Sequence, residues 1–365
     1  MSDTVAERLD AVRSLAAMPL YQLSTAGMEL FHTNMLYWLA VNRLAESKPL
    51  WYALGLQWVG TAPQEPFIRR EWRHLDLAIS LGPDQAALVI ENKIGAIPTD
   101  DQLRRYAHGL DRTPLFALGA TGCVLLTLTR TRHELPQEPR RWHPVTYGDL
   151  LPAFRETAER MVGDDRTLMH AYVALVELLD KVAGAYDPSR DLEVPVMLST
   201  EERESLHEAR LLSLVEKVRA GRFAEHADEK LRDGLGATGH VGAGLSNGSA
   251  FNEWFVAGPN GRRFGWQIQG GQFRLAVVTG PDDPRARERR EALVEDLYAS
   301  FFDFAVPDSL RDTIGRYAGK KAWLGYEPNF VYRFVPLTPG TTWDDLLALV
   351  EWFTGRIVSF AQRRP

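Results

Sequence analysis

Asp76 and the run Glu91-Asn92-Lys93 are separated by fourteen residues that read as strand, turn and strand. Two carboxylates and an amine gathered on one phosphate are what metal-assisted hydrolysis of a phosphodiester requires. Asp and Lys are poor residues for a strand interior. Yet Asp76 lies inside Glu71-Trp-Arg-His-Leu-Asp-Leu-Ala-Ile-Ser80, and Glu91 and Lys93 end the apolar run Ala86-Ala-Leu-Val-Ile90. Charges at such positions call for a reason other than packing.

The register supplies one. Leu81-Gly-Pro-Asp-Gln85 is a turn-forming cluster. A two-residue primed turn needs positive φ at its first central residue, which Pro83 cannot adopt. A four-residue loop from Gly82 to Gln85 is therefore expected. It pairs Leu81 with Ala86 and, counting outwards, sets Asp76 opposite Glu91 and His74 opposite Lys93. Residues directly opposite share a face of the sheet. One face then carries His74, Asp76, Ala78, Val89, Glu91 and Lys93. The other carries Leu75, Leu77, Ile79, Leu88 and Ile90 and reads as core. A slip of one residue would exchange the two sets, so the pattern strongly favours this register.

Two carboxylates this close repel unless something compensates. A hard divalent cation does so well, since Mg²⁺ takes oxygen ligands and commonly uses one or two carboxylates plus substrate phosphate. Lys93 would then orient a water or stabilise developing negative charge. The competing reading is a structural ion pair between Lys93 and Asp76 or Glu91 at a strand end.

Leu75-Asp76, the intervening gap and Glu91-Asn92-Lys93 resemble the core motif of the PD-(D/E)XK nuclease superfamily, with Leu75 standing where the name has Pro. Gln102-Leu-Arg-Arg-Tyr106 resembles the Q-x-x-x-Y helix of one large branch. Glu29-Leu-Phe-His32-Thr-Asn-Met-Leu is similar to that branch's first helix, in which a Glu approaches the metal site. The resemblance implies a restriction-endonuclease-like α/β sandwich with a mixed sheet. It implies Mg²⁺ or Mn²⁺ held by Asp76, Glu91 and the backbone carbonyl of Asn92, with Glu29 adding a carboxylate. Lys93 would assist the attacking water, and Gln102 and Tyr106 would position the phosphate. The implied partner is nucleic acid, DNA before RNA, and such stand-alone nucleases often serve defence against foreign DNA. The superfamily also contains members that have lost activity. The alternative is thus an inactive nuclease-fold module that binds a protein or nucleic-acid partner, against which the intact Asp, Glu and Lys speak.

The accessory residues also have structural explanations. Thr99-Asp-Asp-Gln102 reads as a capping box, with Thr99 as N-cap and Gln102 at the third helical position. Tyr106 lies one turn further along, in a stripe with Leu103, Ala107 and Leu110 that reads as core. A first-turn Glu29 suits a helix dipole. Arg104 and Arg105 read as ordinary exposed helix arginines, and His74 as a secondary candidate beside Lys93.

The elements that must position these residues follow from periodicity and breakers. Helices are expected at 4–18, 26–46 and 100–111, and strands near 65–72, 74–81 and 86–93. Strands at 123–128 and 142–146 lead into helices at 149–161 and 165–184. The stretch 51–60 stays ambiguous. After Ala185-Tyr-Asp-Pro-Ser-Arg190 the character changes, so the chain divides into a nuclease-like domain, 1–189, and a C-terminal α+β domain, 190–365. The latter begins with a polar helical stretch, 200–233. Gly242 to Gly248 lacks the Gly-Lys-Ser/Thr ending of a phosphate loop and reads as a hairpin connection. Aromatic strands follow at 251–256, 264–269, 273–278 and 330–336, with helices near 284–303 and 341–361. Trp254, Trp266 and Phe273 read as core, a base-stacking platform being the other possibility.

With 45% hydrophobic and 25% charged residues, the composition is that of an ordinary globular protein. A single cysteine, Cys123, excludes a disulfide framework and a zinc cluster. No run approaches a membrane span and no leader pattern is seen, so the expected compartment is the cytoplasm. The net charge of −6 is not that of a generic nucleic-acid binder. Any basic surface must be local, drawn from Arg69, Arg70, Arg73, Arg130, Arg132, Arg140 and Arg141.

Overall fold

A computed structural model describes residues 3–24, 28–60, 65–82, 85–94, 100–110, 113–116, 121–129, 135, 140–235, 239–246, 249–258, 261–278, 300–316, 323–324 and 330–362. The chain forms two compact units, residues 1–186 with 204–215, and residues 187–203 with 216–365.

The first unit opens with α1 (Asp3–Ala16), α2 (Pro19–Ser24), α3 (Met28–Asn42) and α4 (Lys48–Ala53). Pro19, expected only to end a helix, instead begins α2, where its missing N–H costs nothing. A five-stranded sheet follows, of β1 (Phe67–Trp72), β2 (Leu75–Ser80), β3 (Ala87–Lys93), β4 (Thr121–Thr127) and β5 (Trp142–Thr146), in spatial order β1-β2-β3-β4-β5. The first three strands are antiparallel, and β3-β4 and β4-β5 are parallel. The sheet is therefore mixed, as expected. Between β3 and β4 lies α5 (Asp100–Leu110); after β5 come α6 (Tyr147–Arg160) and α7 (Gly163–Ala185).

The β2-β3 register is the one the turn chemistry dictates. Leu81 N–H donates to Ala86 O, and Ser80, Ile79, Ala78 and Leu77 face Ala87, Leu88, Val89 and Ile90. The ladder stops one pair short of Asp76 and Glu91. Both faces of the sheet are covered. On one, Ala78, Val89, Cys123, Leu125 and Trp142 pack with Leu103 and Leu110 of α5 and with Leu75, which joins this cluster rather than the opposite face. On the other, Leu77, Ile79, Leu88 and Ile90 are buried on the side where α3 crosses the sheet.

In the second unit α9 (Leu212–Leu235), from Glu216 onward, and α10 (Trp343–Gln362) accompany a six-stranded antiparallel sheet. Its strands are β6 (Gly242–Ser246), β7 (Ser249–Ala257), β8 (Arg263–Gln269), β9 (Gln272–Val278), β10 (Trp323–Leu324) and β11 (Phe330–Pro336), in order β10-β11-β9-β8-β7-β6. The polar stretch preceding it is two helices, α8 (Thr200–Glu208) and α9, broken where Arg210 takes φ +57°. The stretch read as a hairpin connection is largely strand β6, paired with β7 from Gly242↔Glu253 to Ser246↔Ser249. Gly244 is crowded there, since an added Cβ would sit 2.6 Å from the tip of the Phe251 ring and displace it. Trp254, Trp266 and Phe273 are at most 1% exposed within the core that includes Leu346, Val350 and Phe353 of α10. No base can stack on them. Most of the helix expected near 284–303 falls outside the described residues.

Candidate active site

Asp76 and Glu91 sit at the sheet end where the β2-β3 ladder opens. In place of a further ladder bond, Asp76 Oδ2 accepts from the backbone N–H of Asn92 at 2.6 Å. The N–H and C=O of one strand residue point to the same side, so the Asn92 carbonyl also faces the Asp76 edge. Glu91 is 1% exposed. Its Oε1 takes two donors, Lys93 Nζ at 2.8 Å and Gln102 Nε2 at 3.1 Å. Gln102 Nε2 also reaches the Tyr106 hydroxyl, at 2.7 Å, one helical turn along α5. The amphipathic face of α5 that buries Leu103 and Leu110 thus delivers Gln102 and Tyr106 to the carboxylate.

The electrostatics are those of crowded acids in a dry place. Burial first, then the Asp76 carboxylate, push Glu91 up to about 7. Burial also raises Asp76, against the opposing Asn92 N–H and the Lys93 charge. For Lys93 burial pulls the amine down, but the pair with Glu91 and the fields of Glu29 and Asp76 outweigh it and hold the ammonium above its ordinary range. Glu29, in the first turn of α3, acts on all three groups through its field.

One atom is left over. Glu91 Oε2 is buried without a hydrogen-bond partner. Such an atom costs about 1–3 kcal/mol, more when charged. A carboxylate oxygen in this state, beside a second carboxylate and a backbone carbonyl, is a hard oxygen donor set that suits Mg²⁺ or Mn²⁺. Among the described residues no three His, Cys, Asp or Glu side chains converge as a metal site. Glu29 accordingly does not complete a three-carboxylate cluster with Asp76 and Glu91.

His74 departs from expectation. It occupies the β1-β2 turn with Arg73, at φ +71° and +53°, between the paired Trp72 and Leu75. Two consecutive positive φ values are those of a type I′ hairpin turn. His74 is exposed there and does not extend β2 toward Lys93. Two of the arginines considered above are engaged within the fold. Arg140 is buried and donates to Phe116 O at 2.7 Å, while Arg70 lies over the Tyr37 ring. Arg130, Arg132 and the Thr99 N-cap lie outside the described residues.

Sequence reasoning missed a second layer behind Asn92. Its side chain turns to the α3 face and contacts Glu29 O, Thr33 and Tyr147. No spacing in the sequence ties residues 33, 92 and 147 together, although Tyr147 directly follows the Thr146 N-cap of α6.

Residues 57–174 match a family described as the PD-(D/E)XK nuclease superfamily. The matched segment contains Asp76, Glu91, Asn92, Lys93, Gln102 and Tyr106. No curated protein and no solved structure matches the chain. No described helix is long and apolar enough to cross a membrane.

Proposed function

We propose that this chain, through residues 57–174 a member of the PD-(D/E)XK nuclease superfamily, hydrolyses phosphodiester bonds in nucleic acid with the help of Mg²⁺ or Mn²⁺. The observation that carries this reading is the orphaned, buried Oε2 of Glu91 beside Asp76, its other oxygen being held by Lys93 and Gln102. When bound, the cation supplies Lewis-acid polarisation of a phosphoryl oxygen and a coordinated water of lowered pKa.

The protein groups have distinct parts. Asp76, Glu91 and the Asn92 carbonyl would hold the cation, and Glu29 adds negative field from α3. Gln102 fixes the Glu91 carboxylate, so that Oε1 is occupied and Oε2 is the oxygen on offer. Lys93 is held as an ammonium, so it donates hydrogen bonds to the attacking water or the developing oxyanion rather than removing a proton. Tyr106 accepts from Gln102, which leaves its own hydroxyl proton to donate to a phosphate oxygen. DNA as substrate before RNA, and a role in defence against foreign DNA, are carried by the family resemblance.

The test is incubation of supercoiled and linear DNA, single-stranded DNA and RNA with Mg²⁺ or Mn²⁺. Wild type is expected to cut, and Glu91→Ala to lose at least about a thousandfold, the several kcal/mol that metal assistance supplies. Lys93→Ala is expected to lose about a hundredfold or more. A wild-type chain that cuts none of these, or variants that cut as well as it does, would sink the proposal.

A further inference from the structure

Asn92 is 1% exposed, and every polar atom of its side chain is engaged. Its Nδ2 donates to Glu29 O and to Thr33 Oγ1, both at 3.0 Å. A backbone carbonyl only accepts, which fixes the amide nitrogen on the α3 side and the oxygen on the other. That oxygen accepts from the Tyr147 hydroxyl at 2.9 Å. The Tyr172 hydroxyl of α7 lies 2.8 Å from His32 Nδ1 on α3. His32 is fully buried, and burial holds its ring neutral, down to about 3.

The Asn92 side chain thus ties β3 to α3 at Glu29 and Thr33 and to α6 at Tyr147. Tyr147 is placed for this by a capping box in which Thr146 and Asp149 exchange bonds at the start of α6. The backbone N–H of the same Asn92 holds the Asp76 carboxylate. One residue thus fixes Asp76 through its main chain and the turn of helix carrying Glu29 through its side chain.

We propose that the Asn92 side chain is the positioning residue of this site. It clamps α3 and α6 to the strand that carries Glu91 and Lys93, and so sets the spacing of Asp76 and Glu91 around the cation while holding the Glu29 turn of α3 to that strand. The inference rests on the metal-dependent reading above and goes beyond it, since there Asn92 acts only through its backbone carbonyl. Outer partners of ligating groups typically change metal affinity or activity by about 10–100-fold.

The test titrates Mn²⁺ by calorimetry into wild type, Asn92→Ala, Tyr147→Phe, Thr33→Val and a control, Leu179→Ala. The control deletes a side chain buried in α7 that touches none of these groups in any contact described above. Asn92→Ala is expected to weaken Mn²⁺ binding at least tenfold, with kcat falling more than KM rises. Tyr147→Phe and Thr33→Val, which keep the fold more easily, are expected to lose a few-fold in the same direction. Leu179→Ala should lower Tm and leave Mn²⁺ affinity unchanged. Folded variants at Asn92, Tyr147 and Thr33 that bind Mn²⁺ as wild type does would overturn the inference, as would a wild type that binds no Mn²⁺. A wild type that binds Mn²⁺ but cuts no nucleic acid defeats the nuclease reading alone, because the affinity series still decides the role of Asn92.

Discussion

Arg274 in the six-stranded sheet and Glu91 in the five-stranded sheet are buried charged groups handled in opposite ways. In the six-stranded sheet, Arg274 gives Nη1 to Gln267 Oε1 and Gln269 Oε1, each at 2.7 Å, and both Nε and Nη2 to Gln272 Oε1. Its guanidinium lies over the Tyr332 ring. Gln267 passes its amide to Glu253, and Gln269 to Ser246 O. Donors and acceptors on that face answer one another. In the five-stranded sheet the Trp142 indole N–H and one carboxylate oxygen, Glu91 Oε2, are left unpaired, and only the carboxylate oxygen can take a cation. A satisfied network rigidifies, whereas a half-satisfied one is too costly to keep for stability alone. The difference teaches where to look for chemistry: at the polar atom the fold declines to pair.

This contrast can be broken in three ways. The largest expected effect is on stability in the second unit. Trp266 is fully buried, stacked on Phe273 and bonded through Nε1 to Thr354 at 2.8 Å. Trp266→Ala should cost about 3–5 kcal/mol, read by urea denaturation, while cleavage below the melting range persists. A folded Trp266→Ala protein that no longer cuts would show that the second core takes part in the chemistry.

The next effect sharpens the first site by pH. Glu91 titrates near 7 when folded, against 4.5 unperturbed, and Asp76 shifts in the same direction. Between those values the folded chain holds a proton that the unfolded chain has released. Stability of the metal-free protein must then fall as pH rises through this window, by roughly 3 kcal/mol for Glu91 alone. Saturating Mn²⁺ should abolish the fall, because a cation favours the ionised form. Denaturation curves at pH 5 and pH 8, with and without Mn²⁺, measure it. A flat metal-free profile would mean that Glu91 is already compensated by protein groups.

The smallest effect concerns the matched network. Arg274→Met leaves the oxygens of Gln267, Gln269 and Gln272 without their donor, at a cost of about 1–3 kcal/mol. Cleavage rates should stay at the wild-type value when measured at low temperature. A loss of nucleic-acid binding with unchanged Tm would turn this structural array into a recognition surface.

Much of the fold was legible because its signals are local. The Pro83 argument excluded a two-residue turn, and the alternation of Leu77, Ile79, Leu88 and Ile90 then admitted one register. Strands β5 and β11 fall where their apolar and aromatic runs place them. His74 was misplaced because nothing in its neighbours announces a glycine-free turn with two left-handed residues. β6 was read as a connection because glycine marks turns more often than it marks a strand crowded by an aromatic ring.

The sequence by itself determined that Asp76, Glu91 and Lys93 share one end of one hairpin, because strand period and turn length are properties of neighbouring residues. It also determined that Gln102 and Tyr106 lie one turn apart. Only the tertiary structure decided which Glu91 oxygen is free, that Gln102 reaches that carboxylate, and that Asn92 joins α3, α6 and β3. Those contacts link residues up to 63 positions apart. No local pattern encodes them; they exist only once burial has brought the helices onto the sheet and left each polar atom either a partner or none.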